Sequence, residues 1–218
     1  MATLPHAVIP VKPLTQGKTR LAGLLSDTER VALNRQLLML TLNRAAVYPG
    51  ADRTLVVSGC AEVLHIARGL GFQVLNEKAP YGLNLAAQSG TLWAREAGAT
   101  AVLVMPVDLP LGDAEDLRAL VESAPDEPVC LLVPDQHGRG TNLLYQSPVA
   151  LDTYAFGPDS LMHHRLLAYR HRLRPVLRGE SRFAFDIDEP ADYHRWQPTA
   201  DKRQRADALM PETALSLN

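Results

Sequence analysis

Short apolar runs alternate with longer stretches of helical spacing along most of this chain. "HAVIPVK" opens the series and reads as a buried first strand. In "SDTE", Ser26 stands three residues before Glu29, a capping-box spacing that predicts the start of a helix. The following "RVALNRQLLMLTLNRAAV" places Val31, Leu37, Leu38 and Leu42 on one face, and Tyr48-Pro49-Gly50 ends it. "RTLVVS", "FQVLNE", "TAVLVMPVD" and "PVCLLVPD" read as strands, interleaved with the helical "AEVLHIARGLG", "LNLAAQSGTLWAREAGA" and "DAEDLRALVESA". "TNLLYQS" predicts a later strand, "DSLMHHRLLAYRHR" a helix, and "RPVLRG" an edge strand. Strands alternating with helices of this length predict βαβ units in an α/β fold: a mainly parallel sheet flanked by helices. With no internal repeat and no low-complexity linker, one domain is expected over 1–198. The tail at 199–218 is helix-permissive but has no apolar stripe.

At 218 residues, 46% hydrophobic and 21% charged, the chain suits one α/β domain with a substantial core. A net charge of −2 gives no field toward nucleic acid or an acidic membrane, so neither is an expected partner. The basic run from His163 to Arg174 spreads around a helix and reads as a solvated face. Cys60 and Cys130 lack metal or redox spacing and read as structural thiols of a reducing compartment. No run approaches the roughly 20 apolar residues of a membrane span, and the opening residues lack a signal-peptide pattern. A cytoplasmic protein is expected.

The chemistry is expected beyond the carboxyl ends of the strands, where open parallel sheets bind ligands. "PVKPLTQGKTRL" follows the first strand and carries Lys12, Lys18 and Arg20. Its Gly17-Lys18-Thr19 is not the end of a P-loop, because Lys12 and Pro13 stand where that loop turns on glycine. The three cations suit a triphosphate, with a solvated basic loop as the alternative. Lys18 is read as an exposed loop lysine that contributes little to folding.

In "VLVMPVDLPL" an apolar strand runs into Asp108, a carboxylate that needs a partner there, whether metal, cap or ion pair. In "FAFDIDEPADY", Asp186 and Asp188 alternate with Phe185 and Ile187, so on an extended segment both face one side. With Asp108 they could supply oxygen ligands to Mg2+. Alternatively the acidic residues before Pro190 begin a helix, and both readings can hold for different aspartates. Gly140, Thr141 and Asn142 form a small polar turn. Gly157 would let a ligand approach backbone, and Ser160 suits an N-cap or an anion at a helix N-terminus.

Taken together, "PVKPLTQGKTRL", "YGLN", "MPVDLPL", "GTN", "FGPDSLMHH" and "FDIDEPADY" resemble the guanylyltransferases that activate a phosphorylated three-carbon acid in biosynthesis of the deazaflavin coenzyme F-420. The similarity runs from about Pro5 to Trp196. It implies a Rossmann-like nucleotidyltransferase fold, GTP and Mg2+, and 2-phospho-L-lactate, phosphoenolpyruvate or 3-phospho-D-glycerate as acceptor. By the same resemblance Lys12, Lys18 and Arg20 lie near the GTP phosphates, and Gly82, Leu83 and Asn84 lie beside the nucleoside. Asp108, Asp186 and Asp188 match the metal carboxylates. Thr141, Asn142, Gly157, Ser160 and His164 match the segments that hold the acid. One departure is Gly17, where many members carry alanine, a change expected to loosen the loop. The resemblance leaves room for a homodimer and for coupling to the enzyme of the next, deazaflavin-transfer step.

Two rival readings are a molybdopterin-type nucleotidyltransferase and a non-catalytic GTP-binding module. The first usually opens with a glycine-rich L-A-G-G-x-S-x-R-M-G loop, absent here. The second has no use for three aspartates beside a basic loop.

Overall fold

The computed structural model describes residues 4–78 and 82–196; the tail expected at 199–218, and Tyr81 of "YGLN", lie outside the described residues. The opening apolar run forms β1 (His6–Pro10), buried along its whole length. Ser26 then sets the start of α1 (Asp27–Ala45): its Oγ accepts the Glu29 N–H at 3.3 Å, and the Glu29 carboxylate accepts the Ser26 N–H at 2.8 Å. This is the reciprocal cap that the spacing predicts. The helix closes where Tyr48 leaves helical dihedrals (φ −149°, ψ 122°) ahead of Pro49.

The remaining elements follow the expected alternation: β2 (Thr54–Ser58), α2 (Ala61–Gly69), β3 (Gln73–Asn76), α3 (Leu83–Glu96), β4 (Val102–Val104), α4 (Ala114–Glu122) and β5 (Val129–Pro134). They continue as β6 (Thr141–Ser147), α5 (Ser160–Arg170), β7 (Arg174–Leu177) and α6 (Pro190–Trp196), the last starting on its proline as expected.

The strands form one sheet in the order β3-β2-β1-β4-β6-β5-β7. All pairings are parallel except those of β6, which runs antiparallel to both β4 and β5. Side chains alternate across the sheet. Ile9, Val56, Leu103 and Leu131 pack with α1, α2 and α4 on one face. Val8, Leu55, Val102 and Leu132 pack with α3 and α5 on the other. Truncating a fully buried leucine in such a core costs about 2–5 kcal/mol. Cys130 sits inside the second layer, where burial pushes its thiol up to about 12, so it is inert packing. No described helix is long and apolar enough to cross a membrane.

Two consequences of this topology place the site. Chain order reverses direction at β1, with β2 on one side and β4 on the other, which opens a crevice at the carboxyl edge. Because β6 is antiparallel, its first residues lie at that same edge, opposite the far end of β4.

Candidate active site

A cavity of about 540 Å³ opens at the β1/β4 crevice. The basic loop forms one wall: Lys12, Gly17, Lys18 and Arg20 all line it, together with Gly82 and Leu83 at the entry to α3 and with Asp108 and Asp188. The loop is firmly seated. Leu14 is buried, and the Leu14 carbonyl accepts an amide hydrogen from buried Asn34 on α1 (2.6 Å). Arg30 also reaches the Gly17 carbonyl at 3.5 Å. A Cβ at position 17 would come within 2.6 Å of the Asn34 amide. Gly17 therefore lets the loop lie closer to α1, which corrects the expectation that glycine loosens it.

Lys18 adopts a left-handed backbone conformation (φ 55°, ψ 37°) and turns its ammonium inward. Its Nζ stands 3.3 Å from both Asp108 Oδ2 and Asp188 Oδ1, and only 8% of the side chain is exposed. Burial works to lower its pKa, but the two carboxylates outweigh burial and hold it above its usual value. The expectation of an exposed, energetically idle lysine is thus corrected: its partners are 90 and 170 positions away, out of reach of local pattern. Arg20 is largely exposed and pairs with Asp188 at 3.3 Å. Lys12 is exposed and has no ion pair among the described residues.

Asp108, Asp186 and Asp188 converge, each presenting an oxygen within 4.8 Å of the others. Ile187 between the last two is fully buried, and its N–H donates to the Asp108 carbonyl (3.2 Å), locking the segment to the loop after β4. The expectation that both aspartates turn the same way holds, without a regular strand there. Burial, then the neighbouring Asp108 charge, pushes Asp186 up to about 6. Asn142 on β6 steadies it, donating to Asp186 Oδ1 (3.2 Å) and to the carbonyls of Phe183 and Ala184. Asp192 accepts the Asp188 and Glu189 N–H groups, so the acidic segment is also a helix entry. Arg44 supports the loop from beneath: buried over the Phe183 ring, it donates to the carbonyls of Leu109, Leu111 and Gly112.

The expected acid-binding residues divide between the two faces of β6. Asn142 faces the aspartates, while Thr141 faces α5. Thr141 N–H donates to Ser160 Oγ (2.9 Å), and Thr141 Oγ1 bonds His164 Nδ1 (3.0 Å). His164 Nε2 accepts the Ala155 N–H (3.1 Å), which fixes the neutral tautomer with its proton on Nδ1. Burial pushes this histidine down to about 4. Ser160 does not cap α5, because Asp159, with φ 54°, occupies that position; Ser160 is the first helical residue and ties α5 to β6. Asn84 does not line the cavity wall either: its amide brackets Phe156, accepting its N–H (2.7 Å) and donating to its carbonyl (3.1 Å). Thr141, Ser160, His164 and Asn84 therefore hold the segment 155–160 from behind. Gly157 is left exposed on it at φ 136°, a conformation that favours glycine.

The family described as guanylyl transferase CofC like matches residues 5–195. This chain belongs to the CofC-like family. Among its curated relatives, a phosphoenolpyruvate guanylyltransferase of Rubrobacter xylanophilus is 36% identical over 91% of this chain and 96% of its own length. Another so named, from a Roseiflexus species, is 40% identical over 78% of this chain and 74% of its own. A putative nucleotide-diphospho-sugar transferase from Desulfovibrio desulfuricans shares the fold, with a TM-score of 0.68, 17% identity and coverage of 93% and 95% of the two chains. The α/β nucleotidyltransferase expectation is borne out, and the CofC-like chain is a guanylyltransferase of this fold. Three contributors to the CofC-like site stand outside every motif named above: Asn34, Arg44 and Glu77. The first two sit within a helical pattern and carried no signal. Glu77 did, as an acid directly after a strand at the ligand edge.

His164 and Asp186 should leave opposite marks on stability in metal-free protein. His164 sits near 6.5 unfolded and about 4 folded, so its contribution is complete above pH 6.5 and is lost as pH falls toward 4. Asp186 sits near 3.8 unfolded and about 6 folded, so its contribution is present below pH 3.8 and is lost as pH rises through 6. In chemical denaturation across this range, Asp186→Asn should steepen the acid-side loss and raise stability at neutral pH. His164→Gln should flatten that loss by an amount on the order of 3 kcal/mol. Parallel curves for all three proteins would refute both assignments.

Proposed function

We propose that this protein transfers GMP from GTP to phosphoenolpyruvate, releasing pyrophosphate, as a step in making coenzyme F-420. One observation carries the reading: a cationic loop shares a single cavity at the switch point of a nucleotidyltransferase sheet with Asp108 and Asp188, two members of a three-carboxylate cluster. Phosphoenolpyruvate is chosen over the other two three-carbon acids because both relatives described above carry that name.

The attacking phosphate oxygen is already ionised at neutral pH, so the reaction needs no strong base. It forms a bond to the α-phosphorus as the bond to the β-phosphate oxygen breaks. What the protein must supply is relief of repulsion between two anions and in-line placement. Lys12, Lys18 and Arg20 neutralise the triphosphate and the departing pyrophosphate. The backbone at Gly157 receives the acid, held in place by Thr141, Ser160 and His164, and Asn142 orients Asp186.

The residues fit Mg2+: three hard oxygen donors converge, and a lysine ammonium already serves as cation for two of them. When bound there, the ion would neutralise phosphate charge on both reactants. Handing the guanylylated acid to the deazaflavin-transfer enzyme, in the cytoplasm, is the step we infer to follow.

The test is incubation with GTP, Mg2+ and each of the three acids, alone and in competition, with pyrophosphate release and product mass as readouts. Release with phosphoenolpyruvate and a product heavier by GMP is expected. Binding of GTP without pyrophosphate release for any acid would instead favour a non-catalytic module, and preference for another acid would reassign the acceptor.

A further inference from the structure

The far end of the cavity carries a polar group that the phosphate chemistry does not use. Glu77 follows β3 directly, and its N–H donates to the Ser58 carbonyl (3.0 Å), extending the ladder past the last strand residue. Glu77 lines the cavity, as does Gly82, to which its carboxylate is hydrogen-bonded. Oε1 accepts the Gly82 N–H (3.0 Å) at the entry to α3, which anchors the carboxylate without neutralising it. Of the three acids that line the cavity, Asp108 and Asp188 are paired with Lys18, whereas Glu77 has no ion pair among the described residues.

Its position is set by the sheet. Glu77 follows β3 and Asp108 follows β4, three strand intervals apart, or roughly 14 Å at the usual spacing. Pro10, Val11, Leu83, Ala86 and Val107 also line the cavity, and this apolar lining would serve as a slot for a flat ring. A nucleotide with its phosphates at the basic loop would lay its base across this slot, with the outer edge toward Glu77.

Resting on the reading that a guanine nucleotide is the donor, we propose that Glu77 selects the base by accepting hydrogen bonds from guanine N1–H and the 2-amino group. Two adjacent donors on guanine match two carboxylate oxygens. Adenine presents an unprotonated N1 at the same edge, so a lone pair would face the carboxylate. A site built to accept hydrogens strongly rejects a base that lacks them. The competing role for Glu77 is that it merely caps α3, where an acid is favourable in any case.

Two measurements separate these, both reading equilibrium nucleotide binding in Mg2+ and pyrophosphate release with acid present. In the first, the unaltered protein is offered GTP, ITP, N1-methyl-GTP and ATP. Loss of the 2-amino group, methylation of N1 and replacement by adenine should each weaken binding by about tenfold or more. In the second, Glu77→Gln keeps an oxygen for Gly82 but turns one acceptor into a donor. It should bind GTP about tenfold more weakly and xanthosine triphosphate, whose C2 bears a carbonyl, more tightly than the unaltered protein does. Tolerance of N1-methyl-GTP, or equal weakening toward every base in Glu77→Gln, would overturn the proposal and leave Glu77 as a helix cap. If no guanine nucleotide binds the unaltered protein, the donor reading fails along with it. If GTP binds and serves as donor with no base preference at N1 and C2, only the role of Glu77 fails.

Discussion

Asp108→Asn is expected to lower turnover by about 100- to 1,000-fold while the fold survives. The substitution preserves shape and leaves the Asp108 carbonyl free to accept Ile187 N–H. What it removes is one of three charges converging within 4.8 Å and one hard ligand for a divalent cation. Losing a preorganised electrostatic contact at reacting phosphates is a loss of this scale. Folding should suffer little, since the Asp108 charge is also part of what pushes Asp186 up, and its removal relieves that repulsion. The measurement is single-turnover pyrophosphate release beside a thermal melt of the same sample. Near-normal release at ordinary magnesium would remove Asp108 from the reaction.

Lys18→Met should give a double signature that an exposed lysine could not. Methionine keeps the length of the stem but deletes the ammonium lying between Asp108 and Asp188. Without it Asp108 loses its ion pair and Asp188 keeps only the exposed Arg20, so stability in chelator should fall by roughly 1–3 kcal/mol, below the range for a fully buried pair because both aspartates are partly exposed. Magnesium should restore more stability to the variant than it adds to the unaltered protein, because the metal no longer displaces a resident cation. Catalytic efficiency toward GTP should fall by about tenfold or more, through loss of a charge-assisted contact to phosphate. A melt unchanged in chelator, combined with normal use of GTP, would make the observed ion pairs incidental.

Local features of the chain were the most legible. Ser26 with Glu29, Pro190 at the head of α6, and the break at Tyr48-Pro49 are short-range signals whose chemistry is complete within a few residues. The alternation of strands and helices pointed to the α/β class for the same reason. The orientation of β6 was not readable, because its alternation looks the same whichever way the strand runs. That orientation decides why Thr141 and Asn142, adjacent in sequence, serve opposite faces. The convergence of the three aspartates was legible from Asp108 at the end of an apolar run and from the alternation of Asp186 and Asp188 with Phe185 and Ile187. The burial of Lys18 was missed because it depends on two partners remote in the chain. Ser160 and His164 are expected from sequence to touch the acid directly, whereas their hydrogen bonds commit them to holding the backbone on which Gly157 lies exposed.

The meeting of Lys18 with Asp188 joins positions 170 residues apart. A molecule gripped by the loop after β1 and by the segment before α6 therefore acts as a clasp on nearly the whole described chain. Neither of these segments can open without first letting the ligand go. Its binding free energy then counts against global opening as RT ln(1 + [L]/Kd), rather than being spent on quieting a single loop. Amide exchange should slow together in the loop after β1 and in the segment before α6 when the cavity fills, as though the fold had acquired a removable cross-link.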